Sequence, residues 1–457
     1  MSRPVETDIV ILGGGCAALQ LAMAYSQSKK TLSYRILILE KRKQYSNDRI
    51  WSFWLDSTQP FVHQDLLASQ YTQWRFSKKP ENTIYTDKVR DGKNRADNNQ
   101  VIHRGGKFRY SSIRAEDFYA KALRLIENDT RIDLRLNHAI TGADITQAGE
   151  FFLIQLADSV VKARHVIDTR FSPWDYRAYP AKLYQVFYGV EVELPAHITA
   201  GLGANENTSW QNTAGLMDQL YYSPESNQEG LHFIYQLPLD QRRCFIEATV
   251  FSPQPLPPET LKPQLNAFLK ENYNIDIAAC SYHEQASLPM GLSQLSRPLQ
   301  PPRSLQSPQP SQQRFLPDFV KDPRYKNYTA IGAASGALRA SSGYSFLRLS
   351  RWVQTCITRL EHGNLAFDYT FDSPFSKFLD HVFLEALLAD MTAGPDVFLT
   401  LAQKMPPDAF ARFMNSQASL GDTLQLLSAV SKPFILKGLF SSFSSRPPNS
   451  KMMTQCQ

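Results

Sequence analysis

The chain has 457 residues, and 49 Lys and Arg against 43 Asp and Glu give it a net charge of +6. Hydrophobic residues make up 43% and charged residues 20%, which excludes an intrinsically disordered protein. A positive charge this dilute does not predict nucleic-acid binding, which usually shows a basic stripe, although it suits an anionic membrane surface. The length predicts two or three structural units.

Cysteine and histidine spacing argues against metal and disulfide sites. The five cysteines are far apart and odd in number, and the nine histidines never pair within five residues. No run of about 18 apolar residues predicts a membrane-spanning helix. Glu6 and Asp8 lead directly into an apolar run, unlike a signal peptide, so the cytoplasm is the expected compartment.

The first 40 residues have the pattern of a strand–helix–strand unit with a glycine turn. Within it, Gly13, Gly15 and Ala18 fit the pattern G-x-G-x-x-G/A, and Gly14 belongs to the same turn. Gly13 makes the turn, Gly15 lets backbone N–H groups approach a pyrophosphate, and Ala18 allows close helix packing. Glu40 ends the second strand and can accept hydrogen bonds from ribose hydroxyls. The motif alone does not separate FAD from NAD.

A second segment of small residues favours FAD. Residues 328–331 have the pattern of a short buried strand, and Gly332 and Gly343 lie in the small-residue stretch that follows. Two-domain flavoproteins close the flavin site with such a segment, but a flexible loop has the same composition. Arg114, at the start of a helix predicted over 113–128, is a candidate contact to flavin phosphate or ribityl groups, or else a surface charge.

Later segments predict a sheet and then helices. Residues 184–193, 231–237 and 244–251 are strand-like and predict an antiparallel sheet, while residues 97–110 are polar and turn-rich. Pro-rich stretches at 253–263 and 298–317 interrupt the middle of the chain, and the second predicts a surface loop. Beyond about residue 365 the pattern is helical, with one apolar stripe over 375–387.

Six short segments carry a family resemblance. Residues 47–54 read NDRIWSFW, 189–193 GVEVE, 233–239 FIYQLPL, 245–249 FIEAT, 284–290 EQASLPM and 342–345 SGYS. In this order, and with Met217-Asp218, they resemble the flavin-dependent lycopene cyclase family in its bacterial β-cyclase form. The chain departs from the family at Ala248, where a second acid is usual, at residues 338–340, and in the long insertion over 298–317.

The resemblance implies a cyclase that converts the linear ψ ends of lycopene to β-ionone rings without net redox change. It also implies bound reduced FAD, with NAD(P)H as the electron source. Three alternatives stay open: an FAD-dependent monooxygenase or dehydrogenase acting on a hydrophobic substrate, a cyclase of another polyene, and a carotenoid-binding flavoprotein without turnover. Ala333 argues against the first, because related hydroxylases usually carry an aspartate there.

Protonating an alkene needs a strong acid that is kept away from water. Glu247 is the first candidate, because on a strand it shares a face with Phe245 and Phe251, and an apolar setting favours a protonated carboxyl. Whether it protonates the alkene itself or assists the reduced flavin stays open. Glu284 and Asp218 follow; a solvated loop acid and a turn cap are their ordinary alternatives.

Aromatic and apolar residues complete the sequence-based hypothesis. Trp51 and Trp54 either line a polyene tunnel or cover the flavin, or else belong to the core. Residues 434–440, beside Lys432 and Lys437, form a candidate interfacial patch, or alternatively pack on the domain core. We therefore expect lycopene or a related polyene as substrate, and peripheral attachment to the cytoplasmic membrane.

The predicted fold class is α/β: a two-domain FAD-binding Rossmann-type fold with an antiparallel β-sheet substrate domain and a helical C-terminal region. The expected FAD-binding domain covers 1–170 and a closing segment at 326–364. The substrate domain covers 171–325, the helical region 365–440 and a flexible tail 441–457.

Overall fold

A computed structural model of the protein describes residues 4–28, 30, 32–80, 99–171, 181–195, 210–292 and 327–444. Its strands are β1 (Val5–Leu12), β2 (Ile36–Leu39), β3 (Ile50–Asp56), β4 (Leu67–Tyr71), β5 (Gln73–Lys78), β6 (Gln100–Arg104), β7 (Phe108–Arg114), β8 (Ile132–Arg135), β9 (Ile145–Ala148), β10 (Phe151–Gln155), β11 (Val160–Asp168), β12 (Ala181–Glu193), β13 (Thr213–Ser223), β14 (Gly230–Pro238), β15 (Arg243–Ser252), β16 (His283–Leu292) and β17 (Tyr328–Ala330).

The α-helices within these ranges are α1 (Cys16–Ser26), α2 (Ala115–Glu127), α3 (Lys262–Tyr273), α4 (Phe346–Glu361), α5 (Pro374–Ala389), α6 (Gly394–Lys404), α7 (Pro407–Met414), α8 (Leu420–Ala429) and α9 (Lys432–Ser444). None of the described helices is both long and apolar enough to cross a bilayer.

The first sheet has the order β8-β2-β1-β11-β10-β9, with β17 added beside β11. Strands β8, β2, β1, β11 and β17 are parallel. Strand β10 runs antiparallel to β11, and β9 runs antiparallel to β10. Parallel strands covered by helices are buried on both faces, which explains the continuous apolar runs in β1 and β2. Helices α1, α2 and α4 contribute to the apolar core on one side of this sheet.

The second sheet has the order β16-β12-β15-β14-β13-β5-β6. All its pairs are antiparallel except β13 with β5, which is parallel. Side chains alternate between its faces. On β15, Phe245 and Phe251 belong to one core and Ile246 and Val250 to another.

Two sequence-based expectations fail between residues 97 and 114. The stretch 97–110 was expected to be turn-rich, but it contains β6 and the start of β7. Ile113 was expected to begin a helix, but it belongs to β7, and α2 begins at Ala115. Strand pairing determines the structure of these residues. Strand β7 lies between β3 and β4 in a three-stranded sheet, and β6 joins the second sheet through β5.

The second sheet therefore also contains β5 and β6, which lie outside the expected substrate domain at 171–325. The Pro-rich stretch 253–263 leads into α3, whose first turn contains Pro263, a position where proline is tolerated because the first N–H groups lack helical partners. The expected loop over 298–317 lies outside the described residues. The last helix, α9, runs to Ser444, beyond the expected start of the tail at 441, and residues 445–457 are likewise outside the described ranges.

The helical region covers one face of the second sheet. Helix α5 contacts β12 and β16, and α6 contacts β5, β6 and β13. A single apolar core joins these helices to the sheet, from Trp74 and Phe245 to Leu387 and Phe410. The second sheet and the helical region therefore share one apolar core beside the space described next.

Candidate active site

A cavity of about 1050 Å³ extends from the glycine turn after β1 to the helices at the end of the chain. Its lining combines residues of both large sheets, β3, β7 and the helical region. At one end lie Gly13, Gly15 and Glu40; in the middle Trp54, Tyr235, Glu247 and Glu284; at the other end Phe375, Phe378, Leu427 and Ile435. Among the described residues, no three His, Cys, Asp or Glu side chains gather as a metal site.

The glycine turn presents the open N-terminus of α1 to the cavity. Gly13 has a φ of 90°, and Gly15 precedes α1 without a side-chain cap. A Cβ built on Gly15 would meet nothing within 4 Å, so space lies in front of the first helical N–H groups. Uncapped N–H groups at a helix N-terminus bind anions, which suits a pyrophosphate. Ala18 is fully buried.

Glu40 lies at the end of β2, beside this turn. Its Oε2 accepts a hydrogen bond from the Gly14 N–H at 2.6 Å, and its Oε1 accepts one from the Arg42 N–H at 2.8 Å. Burial pushes the pKa of Glu40 up, but the Arg42 charge and these bonds outweigh it and lower the pKa. An ionised carboxylate in this position can accept hydrogen bonds from ribose hydroxyls.

The closing segment places Gly332 and Gly343 on the cavity wall. Both have positive φ, 131° and 71°, which favours glycine. A Cβ on Gly343 would come within 2.5 Å of Gln185 Oε1. Several buried polar atoms on the same wall lack a hydrogen-bond partner among the described residues: Ser52 Oγ, Trp54 Nε1, Gln185 Oε1, Gln285 Oε1 and Ser342 Oγ. Unpartnered buried polar atoms are costly, so this wall fits a polar cofactor such as FAD.

The structure does not bring Arg114 to the cavity, contrary to its expected place at a flavin. Its guanidinium pairs with Glu116 at 2.8 Å and with Glu191 at 2.9 Å. Arg42 and Arg49 line the cavity instead. The sequence contained a signal for Arg49, because it lies within the segment NDRIWSFW that carries part of the family resemblance.

Two carboxyl groups meet on one face of the second sheet. Gly189, on β12, is paired directly with Glu247 of β15 and with Glu284 of β16. Directly opposed residues project from the same face, and Gly189 has no side chain to separate the two carboxyls. A Cβ there would lie 2.5 Å from the Phe245 ring and 3.1 Å from Glu247 Cβ. Glycine at this position therefore leaves room for both the ring and the acid.

Burial favours the protonated form of both acids. Each is only 8% exposed. Burial, and next the neighbouring charge of Glu284, raise the pKa of Glu247 well above its ordinary value, although a hydrogen bond from Thr249 works against the shift. Burial also raises the pKa of Glu284 to about 7, while Arg49 and hydrogen bonds from the Ile50 N–H and Tyr282 hydroxyl limit the rise.

Asp218, the third acid proposed from the sequence, lies away from these two. It is on β13, not in a turn, and is 3% exposed. Arg75 donates to both of its oxygens, with Nη2 2.6 Å from Oδ2. Asp218 is not among the lining residues of the cavity, whereas its neighbours Leu216 and Met217 are. A carboxylate held by a guanidinium is a structural ion pair, so the structure does not support Asp218 as a catalytic acid.

Aromatic rings surround the middle of the cavity. Trp54 lies 4.7 Å from Tyr110 and 5.2 Å from Tyr344 between ring centroids, and Trp51 packs against Phe118 and Phe346. Trp51 and Trp54 both line the cavity, as do the three hydroxyl-bearing rings of Tyr110, Tyr235 and Tyr344. Aromatic faces carry negative potential and attract cations.

The far end of the cavity opens among apolar side chains of α5, α8 and α9. We call these residues the apolar rim. They are strongly exposed: Phe375 (51%), Phe378 (48%), Leu420 (82%), Leu424 (68%), Leu427 (37%), Leu436 (50%) and Phe440 (71%). Phe375, Phe378 and Leu427 also line the cavity, so its wall continues onto the surface. The predicted patch at 434–440 divides between wall and rim, since Phe434, Ile435 and Leu439 line the cavity.

Fold and site together define a two-domain FAD-binding Rossmann-type protein with a helical C-terminal region, which confirms the predicted fold class. The chain belongs to the lycopene cyclase family, because the family model described as "Lycopene cyclase protein" matches residues 8–436, which confirms the resemblance drawn from the sequence. No curated protein matches.

Two solved structures are compared with this chain, and only the first reaches a TM-score of 0.5. The flavin-dependent brominase Bmp2 is 10% identical, with a TM-score of 0.50, over 96% of this chain and 98% of Bmp2. A geranylgeranyl bacteriochlorophyll reductase-like protein from Thermoplasma acidophilum is 10% identical, with a TM-score of 0.48, over 95% of this chain and 99% of that protein. At this identity the likeness to Bmp2 concerns the fold alone.

Proposed function

We propose that this protein is a carotenoid cyclase that converts the linear ψ end groups of lycopene to β-ionone rings by acid-initiated cyclisation without net redox change. The observation that carries the proposal is the place of Glu247, a buried carboxyl inside a large cavity walled by aromatic rings, where burial raises its pKa. Family membership supports the same assignment.

Glu247 has the properties that the first step needs. An alkene is a very weak base, so its acid must be positioned, protonated and kept from water. In the proposed reaction Glu247 gives its proton to the terminal trisubstituted alkene, whose π electrons form the new C–H bond. Ring closure onto the next double bond gives a tertiary carbocation. Loss of a proton from the neighbouring carbon to a carboxylate completes the β ring and restores the acid.

The walls of the cavity are suited to stabilising the carbocation. Rings of Trp54, Tyr110 and Tyr344 border the space beside Glu247, and their faces stabilise positive charge. Glu284, whose pKa of about 7 leaves it partly ionised near neutral pH, offers a second carboxylate that can accept a proton. In this proposal Glu247 gives up the proton and takes one back at the end, and Glu284 is the neighbouring carboxyl.

Reduced FAD is the proposed cofactor, with NAD(P)H as its electron source. Gly13, Gly14, Gly15, Ala18 and Glu40 would hold the adenosine and pyrophosphate half, and Gly332 and Gly343 would border the rest. When bound, a reduced flavin supplies an electron-rich ring that stabilises positive charge nearby. The open N-terminus of α1 and the unpartnered polar atoms of the wall support this assignment.

The apolar rim supports peripheral attachment to the cytoplasmic membrane. A C40 hydrocarbon resides in lipid, and the rim places exposed leucines and phenylalanines at the end of the cavity opposite the glycine turn. Lys377 on α5 and Lys432 on α9 are exposed beside the rim and suit anionic headgroups. We propose that lycopene passes from the bilayer into the cavity through this rim.

The test is expression in cells that accumulate lycopene, followed by chromatography of the carotenoids. The wild type should yield cyclic products, and Glu247→Gln should lower the yield by roughly 10²–10⁴-fold, since it removes the acid but keeps the shape. Glu193→Gln, on the same sheet but with a side chain 63% exposed, is the matched control and should retain activity.

Flavin absorbance of each purified variant checks that the cofactor is still bound. Absence of any cyclic product from the folded, flavin-loaded wild type would contradict the proposed substrate. Full activity of Glu247→Gln would contradict the proposed acid.

A further inference from the structure

Three tyrosine hydroxyls from separate parts of the chain meet inside the cavity. Tyr110 is on β7 of the small sheet, Tyr235 on β14 of the second sheet, and Tyr344 in the segment before α4. The Tyr110 hydroxyl lies 2.8 Å from that of Tyr235 and 3.0 Å from that of Tyr344. All three rings line the cavity. We call this group the tyrosine chain.

The tyrosine chain carries one hydrogen more than its own bonds use. Each hydroxyl has a single hydrogen, and two hydrogen bonds join the three groups. Tyr110 donates to one neighbour and accepts from the other, so a terminal hydroxyl, on Tyr235 or Tyr344, keeps an O–H to donate. Ser52 Oγ makes no hydrogen bond to the described residues, so it takes no hydrogen from the tyrosine chain.

Strand pairing in the second sheet places Tyr235, one end of the tyrosine chain, next to Glu247. Tyr235 is paired directly with Glu247, Glu247 with Gly189, and Gly189 with Glu284. The side chains of Tyr235, Glu247 and Glu284 therefore lie on the same face of the second sheet. The charge of Glu247 adds to burial and to the neighbouring phenols in raising the pKa of both Tyr235 and Tyr344, which places the carboxyl within electrostatic reach of both ends of the chain.

We propose that the tyrosine chain is a positioning group that donates its spare O–H to the Glu247 carboxylate whenever that acid has lost its proton. The inference rests on the proposed function for its role in turnover. When Glu247 has given its proton to the substrate alkene, the phenol donates a hydrogen bond to the carboxylate without losing its own proton. A donor to the charged form makes the carboxyl a stronger acid. It also holds the carboxylate where it can take back the proton that the cation loses.

Tyr71 offers a matched control. It is a fully buried tyrosine in the same core, with its ring centroid 6.4 Å from that of Tyr110, but its hydroxyl donates to the Pro238 carbonyl at 2.7 Å. It is not among the residues that line the cavity. Tyr71→Phe therefore removes a buried phenol bond without changing the donors near Glu247.

An infrared pH titration of the flavin-loaded protein tests the donor directly. The protonated carboxyl band of Glu247, assigned by its absence in Glu247→Gln, is followed in the wild type, Tyr235→Phe and Tyr71→Phe. The other groups that face Glu247 are Glu284, Thr249, Tyr110 and Tyr344, and all are unchanged in both phenol variants. We expect Tyr235→Phe to lower the ionisation constant of Glu247 about tenfold, and Tyr71→Phe to leave it unchanged.

Turnover provides a second measurement, with lycopene in liposomes and reduced FAD. Tyr235→Phe should lower kcat about 10- to 100-fold with little change in KM, and the loss of activity at high pH should move to higher pH because the acid is weaker. A purely structural role would lower activity without changing the pH at which activity is lost. Tyr344→Phe, which removes the other terminal hydroxyl, is taken through both measurements as well, because the spare O–H lies at one end of the chain or the other.

An ionisation constant of Glu247 that is unchanged in both folded variants, Tyr235→Phe and Tyr344→Phe, would overturn this inference. If the wild type cyclises lycopene and both variants match it in rate and pH profile, only the role of the tyrosine chain fails. If the wild type makes no cyclic product, the proposed function fails, and the infrared titration still decides whether Tyr235 donates to Glu247.

Discussion

Gly189 is the residue on which the geometry of the two acids depends. It lies between Glu247 and Glu284 in one row of the sheet, and its missing side chain is replaced in space by the Phe245 ring. The acid is therefore packed against an aromatic face, which excludes water and favours the protonated carboxyl. A small residue on β12 thus leaves room for the ring that packs beside a carboxyl on the neighbouring strand.

Gly189→Ala should damage both packing and activity. The added methyl would lie 2.5 Å from the Phe245 ring, so ring and acid must shift. We expect a loss of about 1–3 kcal/mol in the free energy of unfolding, the usual cost of overpacking a core, and a cyclisation rate at least tenfold lower. Urea unfolding and carotenoid analysis measure the two effects.

Gly421→Ala is the control for that substitution, because its Cβ would have only an ordinary contact, 3.7 Å from Ser419 Oγ. It should keep wild-type activity and lose no stability. Wild-type activity of Gly189→Ala would show that the row tolerates a side chain between the two acids.

At the scale of elements, the helical region both packs on the second sheet and exposes the apolar rim. Helices α5, α8 and α9 bury residues such as Leu387 and Phe434 against the second sheet, and the same helices leave other apolar residues exposed as the rim. On α8 the exposed leucines follow i, i+4, i+7 spacing, so they form one stripe that ends at the cavity wall with Leu427. An apolar stripe leading into a cavity is suited to the entry of a hydrocarbon from lipid.

Charging the rim should release the protein from membranes. In Leu424→Glu/Phe440→Glu, two side chains that are 68% and 71% exposed become anionic, so insertion among acyl chains and attraction to anionic lipid both weaken. We expect binding to vesicles that contain anionic lipid to fall at least tenfold in a flotation assay, with the melting temperature nearly unchanged because both positions are exposed.

A matched double variant, Thr146→Glu/Ala148→Glu, adds the same charge on exposed positions of β9 and should bind vesicles nearly as well as the wild type. Equal loss of binding in both variants would point to net charge rather than to the rim.

At the scale of the whole molecule, the two buried acids make stability depend on pH. The unfolded chain releases the Glu284 proton near its ordinary pKa of 4.5, while the folded protein holds it until about 7. Between these values the folded state binds the Glu284 proton more tightly than the unfolded state does, so the contribution of Glu284 to the free energy of unfolding falls as pH rises from about 5 to about 7. At about 1.4 kcal/mol per pH unit, Glu284 accounts for about 3 kcal/mol of this fall.

Glu284→Gln should flatten this pH dependence, since the amide can still accept from Ile50 and Tyr282 but does not ionise. Urea unfolding followed by tryptophan fluorescence at pH 5, 6, 7 and 8 measures it, with Glu193→Gln as the exposed control. If the stability of Glu284→Gln changes with pH as that of the wild type does, a raised pKa of Glu284 is contradicted.

Local patterns identified the parts of this protein whose role depends on near neighbours. The glycine turn, Glu40 and the strand that carries Glu247 could all be found in the sequence, because a turn, a strand end and an alternating face are set within a few residues. Arg114 and Asp218 show the limit of this reasoning. Their partners, Glu191 and Arg75, lie 77 and 143 positions away, and no local pattern predicts such ion pairs.

The sequence by itself thus determined the fold class, the family and the identity of the buried acid, since these follow from periodicity and short motifs. Only the tertiary structure decided how the acids are placed. It placed Tyr235, Glu247, Gly189 and Glu284 in one row of the sheet, joined Tyr110 and Tyr344 to that row, and opened the cavity at the apolar rim. Strand register and helix packing bring residues together across hundreds of positions, and it is this proximity that sets pKa values and hydrogen bonds.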